Sequence, residues 1–364
     1  MTRRPLRVGI VGVSPDRGWA SMAHIPAIQS LPEHFRLAAV CTRSLESASK
    51  AAAFAGVPLA FDDPAEMAAH PDIDFITVTV KAPGHQQVLS QVFETGKPVL
   101  CEWPVGNEDA VTRQLADAAQ KRGIPTFVGL QSRFIPAFRY LRDLINAGEV
   151  GRLLSINLLS TAASWGPVVH PDDAYTLDDR NGATLLRIWG GHTLDMLWHC
   201  LGDFTEASVM TGRQRRFSEA LGRGDRFAIE TPDNVLINAR LDGGAIASIH
   251  LRGGPHPGTA FRLEAVGEDG VVTVEGDGPF AMVMGELCVR VARKGDDVLT
   301  EVSIPDAYYR SGRTLPAVVL NVAEEYAAIA EALAGGEDST VSFRMAADRR
   351  DRLAALAASA SSAS

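Results

Sequence analysis

The sequence is poor in cysteine. Only four of its 364 residues are Cys, and no two of them stand at the C-x-x-C spacing of a zinc or redox pair. Cys41 and Cys101 lie at the ends of apolar runs, where a free thiol behaves as a small hydrophobic residue. We therefore expect a cytoplasmic protein in a reducing compartment, with no metal site.

Long hydrophobic runs are also missing. No apolar stretch approaches the roughly 20 residues that a membrane helix requires. Residues 2–5 include two arginines, but a short strand-like run that contains Gly9 and Gly12 follows them. No signal peptide and no membrane partner are expected from this pattern.

Positive charge is in the minority, with 35 Lys and Arg against 44 Asp and Glu, a net charge of -9 and a pI near 5.5. Binding to phosphate backbones needs a clustered positive surface, so nucleic acid is not an expected partner. The one basic run is Arg213, Arg215 and Arg216, which fits a solvated loop or, as the alternative, a small anion site.

Short β-branched runs alternate with helix-like stretches over the first third of the chain. This alternation predicts a parallel sheet with helices on both faces, and right-handed crossovers make it doubly wound. The predicted strands are Leu6–Val13, Phe35–Cys41, Phe75–Val80, Pro98–Cys101 and Thr126–Gly129, and the predicted helices are Ser21–Ser30, Ser44–Ala55, His85–Thr95 and Asp109–Arg122.

Strands dominate after about residue 130, and hairpin signals such as Asp242-Gly243-Gly244 link several of them. We predict an α/β protein with a Rossmann domain at residues 1–129 and a C-terminal α/β domain at residues 130–364. The second domain should contain a large, mostly antiparallel open sheet. Its predicted strands are 153–160, 235–241, 245–251, 261–266, 271–274, 288–292 and 298–304, and its predicted helices are 136–147, 191–199, 317–334 and 344–358.

A glycine-containing loop follows the first predicted strand and precedes a helix, which is the context that a dinucleotide fingerprint requires. Gly12 stands at the first glycine of that fingerprint, Ser14 replaces the second, and Gly18 arrives late. Glycine there lets the backbone approach a diphosphate at the helix N-terminus. The alternative is a tight glycine turn in another α/β protein.

The end of the second strand distinguishes NAD from NADP, because an acid there binds the ribose diol and an arginine accepts a 2′-phosphate. The residues are Thr42, Arg43 and Ser44, with no acid among them. They favour NADP, although an exposed Arg43 beside a helix N-cap at Ser44 explains them equally well.

Several short motifs resemble those of the Gfo/Idh/MocA oxidoreductase family over nearly the whole chain. The resemblance implies a Rossmann domain that binds NAD or NADP, a sugar or polyol substrate, and a C-terminal sheet that forms a homo-oligomer (dimer or tetramer). The motifs are Gly9-Ile-Val-Gly12, His24 with Pro26-Ala27-Ile28, Pro83-Gly-His85, Gly96-Lys-Pro98, Glu102-Trp-Pro104, Arg133 with Pro136, Gly148-Glu-Val-Gly151, and Gly191-His192 with Asp195.

Two positions depart from the family pattern. Trp103 stands where the family has a lysine near the reacting hydroxyl, and Ile188 stands where it has an acid four residues before the active-site histidine. Trp103 cannot transfer a proton, so His192 is the one of three usual proton-handling groups that remains. These departures are similar to those of a narrower group that includes the galactose-pathway repressor of yeasts, a cofactor-binding regulator.

The resemblance implies cofactor contacts for Trp19, His85, Glu102 and Trp103 in the first domain. His85 begins a helix, so helix capping is the alternative. Glu102 follows a strand at the carboxyl edge of the sheet, where ligands bind, with a buried salt bridge as the alternative. Trp103 is expected to form an aromatic wall with Trp165 and Tyr175 against a sugar or the nicotinamide, or else to pack in the core.

In the second domain, His192 is expected to contact a substrate hydroxyl, or else to pack at the start of its helix. Asp195 lies one turn further and is expected to orient that imidazole or to cap the helix. Arg133 is a candidate donor to a polar or anionic substrate, or else a member of a surface ion pair. His192 and His199 lack further ligands nearby, so a metal site is rejected.

Three functions follow from these residues. The first is an NAD(P)-dependent oxidoreductase acting on a sugar or polyol, with His192, Glu102 and Asp195 as catalytic candidates. The second is a glycosidase that reduces a bound NAD transiently and returns the hydride. The third is a cofactor-binding regulator without turnover. Of these, the sequence favours the oxidoreductase.

Overall fold

The computed structural model describes residues 4–255, 257–278, 280–336 and 339–362. The strands are β1 Leu6–Val11, β2 Phe35–Cys41, β3 Leu59–Phe61, β4 Phe75–Val78, β5 Val99–Glu102, β6 Thr126–Gly129, β7 Leu153–Ala162, β8 Val168–Val169, β9 Phe204–Gly212, β10 Phe217–Ala220, β11 Arg226–Ala228, β12 Asn234–Leu241, β13 Ile246–Gly253, β14 Thr259–Gly267, β15 Gly270–Asp277, β16 Cys288–Arg293, β17 Thr300–Glu301 and β18 Ala360–Ser362.

The α-helices are α1 Ile25–Gln29, α2 Leu45–Ala55, α3 Pro64–Ala69, α4 His85–Val92, α5 Asp109–Lys121, α6 Pro136–Asn146, α7 Trp189–Leu201, α8 Ala281–Met284, α9 Ala317–Leu333 and α10 Phe343–Ala358. A π-helical turn, Ala20–His24, leads into α1. Short 3₁₀ segments span Ala82–Gly84, Phe93–Thr95, Gln131–Phe134, Pro171–Leu177, Asp179–Asn181 and Asp306–Tyr308.

The chain forms two compact units. The first comprises the residues up to Gln131 together with Arg310–Asp348, and the second comprises Ser132–Tyr309 and the residues from Arg349 onward. The first boundary lies two residues from the predicted one. The return of Arg310–Asp348 to the first unit differs from the contiguous division that we expected.

The first unit contains a six-stranded sheet in the order β3-β2-β1-β4-β5-β6, and every neighbouring pair is parallel. This order is that of a doubly wound nucleotide-binding sheet, with the switch point between β1 and β4. The predicted parallel sheet is confirmed. The sequence patterns missed β3, whose three residues are only partly buried, and α3.

Helix α9 explains why a C-terminal segment belongs to the first unit. Its residues Val319, Val322 and Tyr326 are buried in the same apolar cluster as Val8 and Ile10 of β1. The Tyr326 ring meets the ring of Phe35 edge to face, with 5.3 Å between the ring centroids. Burial of this apolar stripe holds α9 against the Rossmann core. The position of α9 late in the sequence does not indicate this packing.

The second unit contains a nine-stranded sheet in the order β17-β16-β15-β14-β7-β13-β12-β9-β18. Its pairs are antiparallel except for β7 with β13 and β9 with β18, so the predicted large, mostly antiparallel sheet is confirmed. Strand β9 was not predicted, and only Thr300–Glu301 of the predicted strand 298–304 is extended in the sheet. A small three-stranded sheet, β11-β10-β8, was also missed.

The cysteines are free, and Cys41, Cys101 and Cys200 are buried. Burial raises the pKa of Cys41 and of Cys200 to about 12, so both remain neutral thiols near pH 7. In the described residues, no helix has the length and apolar character needed to cross a membrane. Nor do those residues contain a group of three or more His, Cys, Asp or Glu suited to a metal ion.

Candidate functional site

Gly12 lies at the switch point of the first sheet, immediately after β1. Its amide donates to the Cys41 carbonyl at 2.9 Å, and its backbone φ is +104°. A Cβ on this residue would stand 2.7 Å from the Val80 amide nitrogen. Only glycine fits both the left-handed backbone and the close approach to the residues that follow β4.

The loop between Gly12 and the π-helical turn leaves several backbone donors unused. Within the described chain, the amides of Val13, Ser14, Asp16 and Gly18 donate no hydrogen bond. Consecutive unpaired amides beside a helix start form a concavity that favours an anion such as a diphosphate. Trp19, a predicted cofactor residue, lies next to this loop and packs partly buried against the apolar cluster of the first unit.

Arg43 and Ser44 follow β2 at the same edge. Ser44 caps α2, because its hydroxyl accepts a hydrogen bond from the Ser47 amide at 3.3 Å. Arg43 is exposed and makes no hydrogen bond or ion pair with the described residues. The cap explains Ser44 and leaves the guanidinium of Arg43 available to a ligand.

His85 is fully buried at the start of α4, and both its ring nitrogens face backbone carbonyls. Nδ1 lies 2.9 Å from the Pro104 oxygen and Nε2 lies 2.7 Å from the Val80 oxygen. Burial lowers the pKa of His85 more than the two carbonyls raise it. The ring therefore links the segments that follow β4 and β5. Because both ring nitrogens already face carbonyl oxygens of the protein, they neither contact a cofactor nor cap the helix.

Glu102 ends β5 and packs over Gly129, where a Cβ would overlap its carboxylate. Its Oε1 lies 3.0 Å from Nε2 of the fully buried His24. The side chain is 17% exposed, and Oε2 makes no hydrogen bond with the described residues. Oε1 of Glu102 therefore pairs with a buried side chain, as the salt-bridge alternative proposed, and Oε2 remains available to a ligand.

His24 continues inward to Tyr326 of α9. Its Nδ1 lies 3.0 Å from the Tyr326 hydroxyl, which lies 2.9 Å from Oγ1 of Thr77 in β4. Sequence reasoning used His24 only as a family motif and did not single out Tyr326 or Thr77. Proximity to His24 in the folded chain identifies Tyr326, which lies 302 positions away in sequence.

Two further residues line the carboxyl edge of this sheet. Trp103 is 5% exposed and precedes Pro104 through a cis peptide bond. Gln131 follows β6, is 3% exposed, and its side-chain oxygen accepts no hydrogen bond from the described residues. Buried acceptors are rarely left unsatisfied, so this oxygen is suited to a ligand N–H or O–H.

In the second unit, His192 lies buried in the first turn of α7, and its amide donates to the Ile188 carbonyl at 3.2 Å. Trp165 is 2% exposed and donates from Nε1 to the Thr176 carbonyl at 3.0 Å. Trp165 therefore packs in the interior, which was the alternative to a place in an aromatic wall. Tyr175 is partly buried, and this burial raises its pKa to about 12.

Asp195 does not orient His192. Its carboxylate accepts two hydrogen bonds from Arg133, at 2.5 and 2.9 Å, and a third from Arg349 at 3.0 Å. Burial alone would raise the pKa of Asp195, but the two guanidinium groups hold it below its usual range. Asp195 is fully buried and Arg133 is 3% exposed, so the expected roles of Asp195 in catalysis and of Arg133 in substrate binding are corrected to an internal ion pair.

His199 lies two turns beyond His192 and accepts a hydrogen bond from Arg142, with 2.9 Å between Nη1 and Nε2. Burial, together with Arg133 and Arg142, lowers its pKa from 6.5 to about 4. The folded chain therefore keeps this imidazole neutral at a pH where the unfolded chain would protonate it.

This difference predicts a loss of stability on acidification. Stability from His199 is fully present above about pH 6.5 and declines as the pH falls towards 4, because the unfolded state then binds the extra proton. We expect His199→Gln to flatten the fall in unfolding free energy over this window by roughly 1–3 kcal/mol. Denaturant titrations at several pH values measure it.

The exposed His34 supplies the matched control, since its side chain is 46% exposed. His34→Gln should keep the wild-type pH dependence of stability. If His199→Gln and His34→Gln show the same dependence, the buried neutral imidazole is not the cause.

Comparisons with known proteins match both parts of the chain. Residues 6–130 match the family described as "Oxidoreductase family, NAD-binding Rossmann fold", and residues 136–276 match "Gal80p, C-terminal domain". The dehydrogenase aclE of Aspergillus oryzae is 34% identical over 216 residues, which span 58% of this chain and 58% of that relative's length.

Solved structures share the fold across the whole chain. A super-repressor mutant of Gal80p from Saccharomyces cerevisiae superposes with a TM-score of 0.87 at 21% identity, covering 98% of this chain and 95% of that one. Levoglucosan dehydrogenase in complex with NADH and L-sorbose gives 0.80 at 21% identity, covering 98% and 97%. Residues 6–130 thus match the oxidoreductase family with the NAD-binding Rossmann fold, residues 136–276 match the Gal80p C-terminal domain, and the solved structures show that the chain shares their fold.

Proposed function

We propose that the protein is a nicotinamide-dependent oxidoreductase that acts on a small polyhydroxylated substrate, a sugar or polyol. The run of unpaired amides after Gly12, at the switch point of the sheet, carries this proposal. The match of residues 6–130 to an NAD-binding oxidoreductase family supports it, and levoglucosan dehydrogenase, a structural neighbour, was crystallised with NADH and a sugar.

The first unit offers the groups that a dinucleotide needs. The amides of Val13, Ser14 and Gly18 would bind the diphosphate, and the oxygens of Glu102 and Gln131 are available as acceptors at the carboxyl edge. When bound, the cofactor exchanges a hydride with the substrate. Trp103 excludes water there but cannot move a proton.

The second unit is proposed to recognise the substrate. His192 is the candidate for a hydrogen bond to a substrate hydroxyl, and the partly buried Tyr175 for a contact with an apolar sugar face. Trp165 supports this region from the interior through its bond to Thr176.

Turnover tests the proposal directly. Purified protein is mixed with NAD or NADP and a panel of sugars and polyols, and the absorbance of reduced nicotinamide is followed. We expect net reduction with at least one member of the panel. Cofactor binding without reduction across the panel would contradict an oxidoreductase while leaving the nucleotide site intact.

Arg43 leads us to expect tighter binding of NADP than of NAD. Removing its guanidinium in Arg43→Ala should weaken NADP about tenfold to a hundredfold, the value of a hydrogen bond to a charged group, and leave NAD unchanged. Calorimetric titration with both cofactors measures this. Arg36→Ala, at the opposite end of β2, should change neither affinity, and an equal effect of Arg43→Ala on both cofactors would contradict a 2′-phosphate contact.

A second candidate is a cofactor-binding regulator without turnover. Trp103 and Ile188 favour it, because neither side chain transfers a proton, and residues 136–276 match the Gal80p C-terminal domain. It predicts cofactor binding, no reduction on the panel, and a protein partner that binds more tightly in the presence of cofactor. Turnover without such a partner would remove it.

We also propose a homo-oligomer. Met210 of β9 and Leu236 of β12 are 55% and 39% exposed on the nine-stranded sheet, and the two residues are register partners. Adjacent exposed apolar side chains of this kind commonly contribute to interfaces. Light scattering should give a dimer or tetramer, and Leu236→Arg should reduce its mass. A monomer at micromolar concentration would contradict it.

The four free cysteines support a reducing, cytoplasmic location. Cell fractionation of the native host tests this proposal, and recovery of the protein in an oxidising compartment would contradict it.

A further inference from the structure

One end of the nine-stranded sheet in the second unit lies beside the first turn of α7. Strands β7 and β15 both pair antiparallel with β14, so they run in the same direction and end on the same side of the sheet. The Ser160 hydroxyl, close to the end of β7, lies 3.2 Å from the hydroxyl of Thr193 in α7. His192, the preceding residue, is therefore placed at this end of the sheet.

Two aromatic residues follow these strand ends in a backbone conformation that favours glycine. Trp165 follows β7 with a φ of +57°, and Phe280 follows β15 with a φ of +55°. They are the only non-glycine residues of the described chain with a positive φ. Bulky residues rarely adopt this conformation, and those that do concentrate at functional sites, ligand-binding segments among them. This end of the sheet therefore has the backbone character of a binding region.

Trp189 lies beneath Phe280. It is the first residue of α7, one turn before His192, and is 3% exposed. The centroids of the Trp189 and Phe280 rings are 5.4 Å apart, in an edge-to-face contact, and Phe280 is partly exposed. Phe280 is thus the more exposed ring of the pair.

The indole N–H of Trp189 has no oxygen acceptor. Its Nε1 is buried and makes no hydrogen bond with the described residues. The ring of Phe280 offers at most a weak aromatic acceptor. A buried donor that lacks a strong acceptor has lost its hydration without compensation, and such groups are uncommon in folded proteins. The N–H is therefore suited to an acceptor that a ligand supplies.

We propose that the Trp189 indole N–H donates a hydrogen bond to an oxygen of the substrate, which takes the place of the Phe280 ring. This inference rests on the proposed oxidoreductase function and adds a second substrate contact to His192. The two residues are three apart on α7, so their side chains lie on one face of the helix and reach the same ligand.

The chemistry of the indole restricts the matching atom of the substrate. An indole N–H donates and does not accept, so it selects a hydroxyl, ring or carbonyl oxygen. An analogue with hydrogen in place of that oxygen leaves the buried donor unpaired, and sites of this kind reject such analogues. Trp189 is therefore a specificity-determining residue for a substrate that carries oxygen at this position, as a polyhydroxylated compound does.

Steady-state kinetics with the monodeoxy analogues of a sugar or polyol that is turned over test this assignment. The wild type should lose about threefold to tenfold in kcat/KM with at least one analogue, the factor for one hydrogen bond. In Trp189→Phe we expect the same factor to be lost with the parent compound, the loss at that deoxy position to disappear, and the cofactor Kd to stay within about twofold. A variant that keeps every loss of the wild type would overturn the proposal.

Trp198→Phe is the matched control. Trp198 lies in the last turn of α7, is 6% exposed, and its Nε1 also makes no hydrogen bond with the described residues. It follows Trp189 by nine residues, which places it about 13 Å along the helix axis and on the opposite face. The variant should keep the wild-type KM and the wild-type response to every analogue. Loss of discrimination in both variants would show a general loosening of α7 and would overturn the role of Trp189.

NMR of ¹⁵N-tryptophan-labelled protein tests the contact without turnover. The five tryptophans give five indole signals, and the signal of Trp189 is the one missing from Trp189→Phe. Millimolar NADH or NADPH is present, because the reduced cofactor does not oxidise an alcohol. The sugars and polyols of the panel, among them D-glucose, D-galactose and myo-inositol, are then added in turn.

At least one compound should move the Trp189 indole proton downfield in a saturable manner, because a hydrogen bond to oxygen forms, and should leave the Trp198 signal in place. This shift in a protein that turns over no member of the panel would count only against the oxidoreductase function. Turnover of a compound that leaves the Trp189 signal unmoved would overturn the inference. Absence of both the shift and turnover would contradict the inference and the proposed function together.

Discussion

Asp195→Asn should destabilise the protein by about 3–5 kcal/mol, because it leaves two buried guanidinium groups without their counter-charge. The Asp195 carboxylate is fully buried, and Arg133 and Arg349 are 3% and 13% exposed. Asparagine keeps one acceptor but removes the negative charge that compensates both arginines. Guanidinium denaturation at neutral pH measures the difference in unfolding free energy.

Asp203→Asn is the matched control. Asp203 pairs with Arg352 through both carboxylate oxygens, but the two side chains are 49% and 40% exposed. Exposed pairs contribute little, so the loss should stay below about 1 kcal/mol. Equal losses in the two variants would show that burial of Asp195 does not set its contribution.

Gly12→Ala should weaken cofactor binding at least about tenfold, with a stability cost of about 1–3 kcal/mol. The added Cβ would stand 2.7 Å from the Val80 amide nitrogen, at a backbone φ of +104°. Relief of that contact requires the loop to shift, and the unpaired amides of Val13 and Ser14 shift with it. Calorimetric titration of the variant with cofactor measures the loss.

Gly56→Ala separates backbone strain from the loop displacement. Gly56 also has a positive φ, +68°, but a Cβ there meets no atom within 4 Å. It should cost about 1 kcal/mol of stability and leave cofactor affinity unchanged. Retention of wild-type affinity in Gly12→Ala would contradict the placement of the diphosphate at this loop.

The periodicity of the sequence was sufficient to predict the first sheet. Five of its six strands follow apolar runs, three of them directly flanked by glycine or proline, and alternation with helices requires the strands to be parallel. Strand β3 has three partly buried residues and offers no such run. The contribution of α9 to this unit depends on contacts with β1, which no local pattern encodes.

The candidate site was predictable only where chemistry is local. Gly12 and Ser44 were identified from a turn and a cap, which are short-range features. The positions of Asp195 and Arg133 were not, because Arg349 joins them from 154 residues further along the chain. Likewise, Glu102 was expected at the sheet edge, but its buried partner His24 and the Tyr326 behind it are brought together by the fold.

Hydrogen–deuterium exchange of the loop between Gly12 and Trp19 tests most directly whether its amides hold a dinucleotide. With saturating NAD or NADP, the amides of Val13, Ser14, Asp16 and Gly18 should exchange more slowly than in the free protein, since phosphate oxygens then accept from them. Unchanged exchange in this loop, despite cofactor at millimolar concentration, would contradict the nucleotide site on which the proposed function depends.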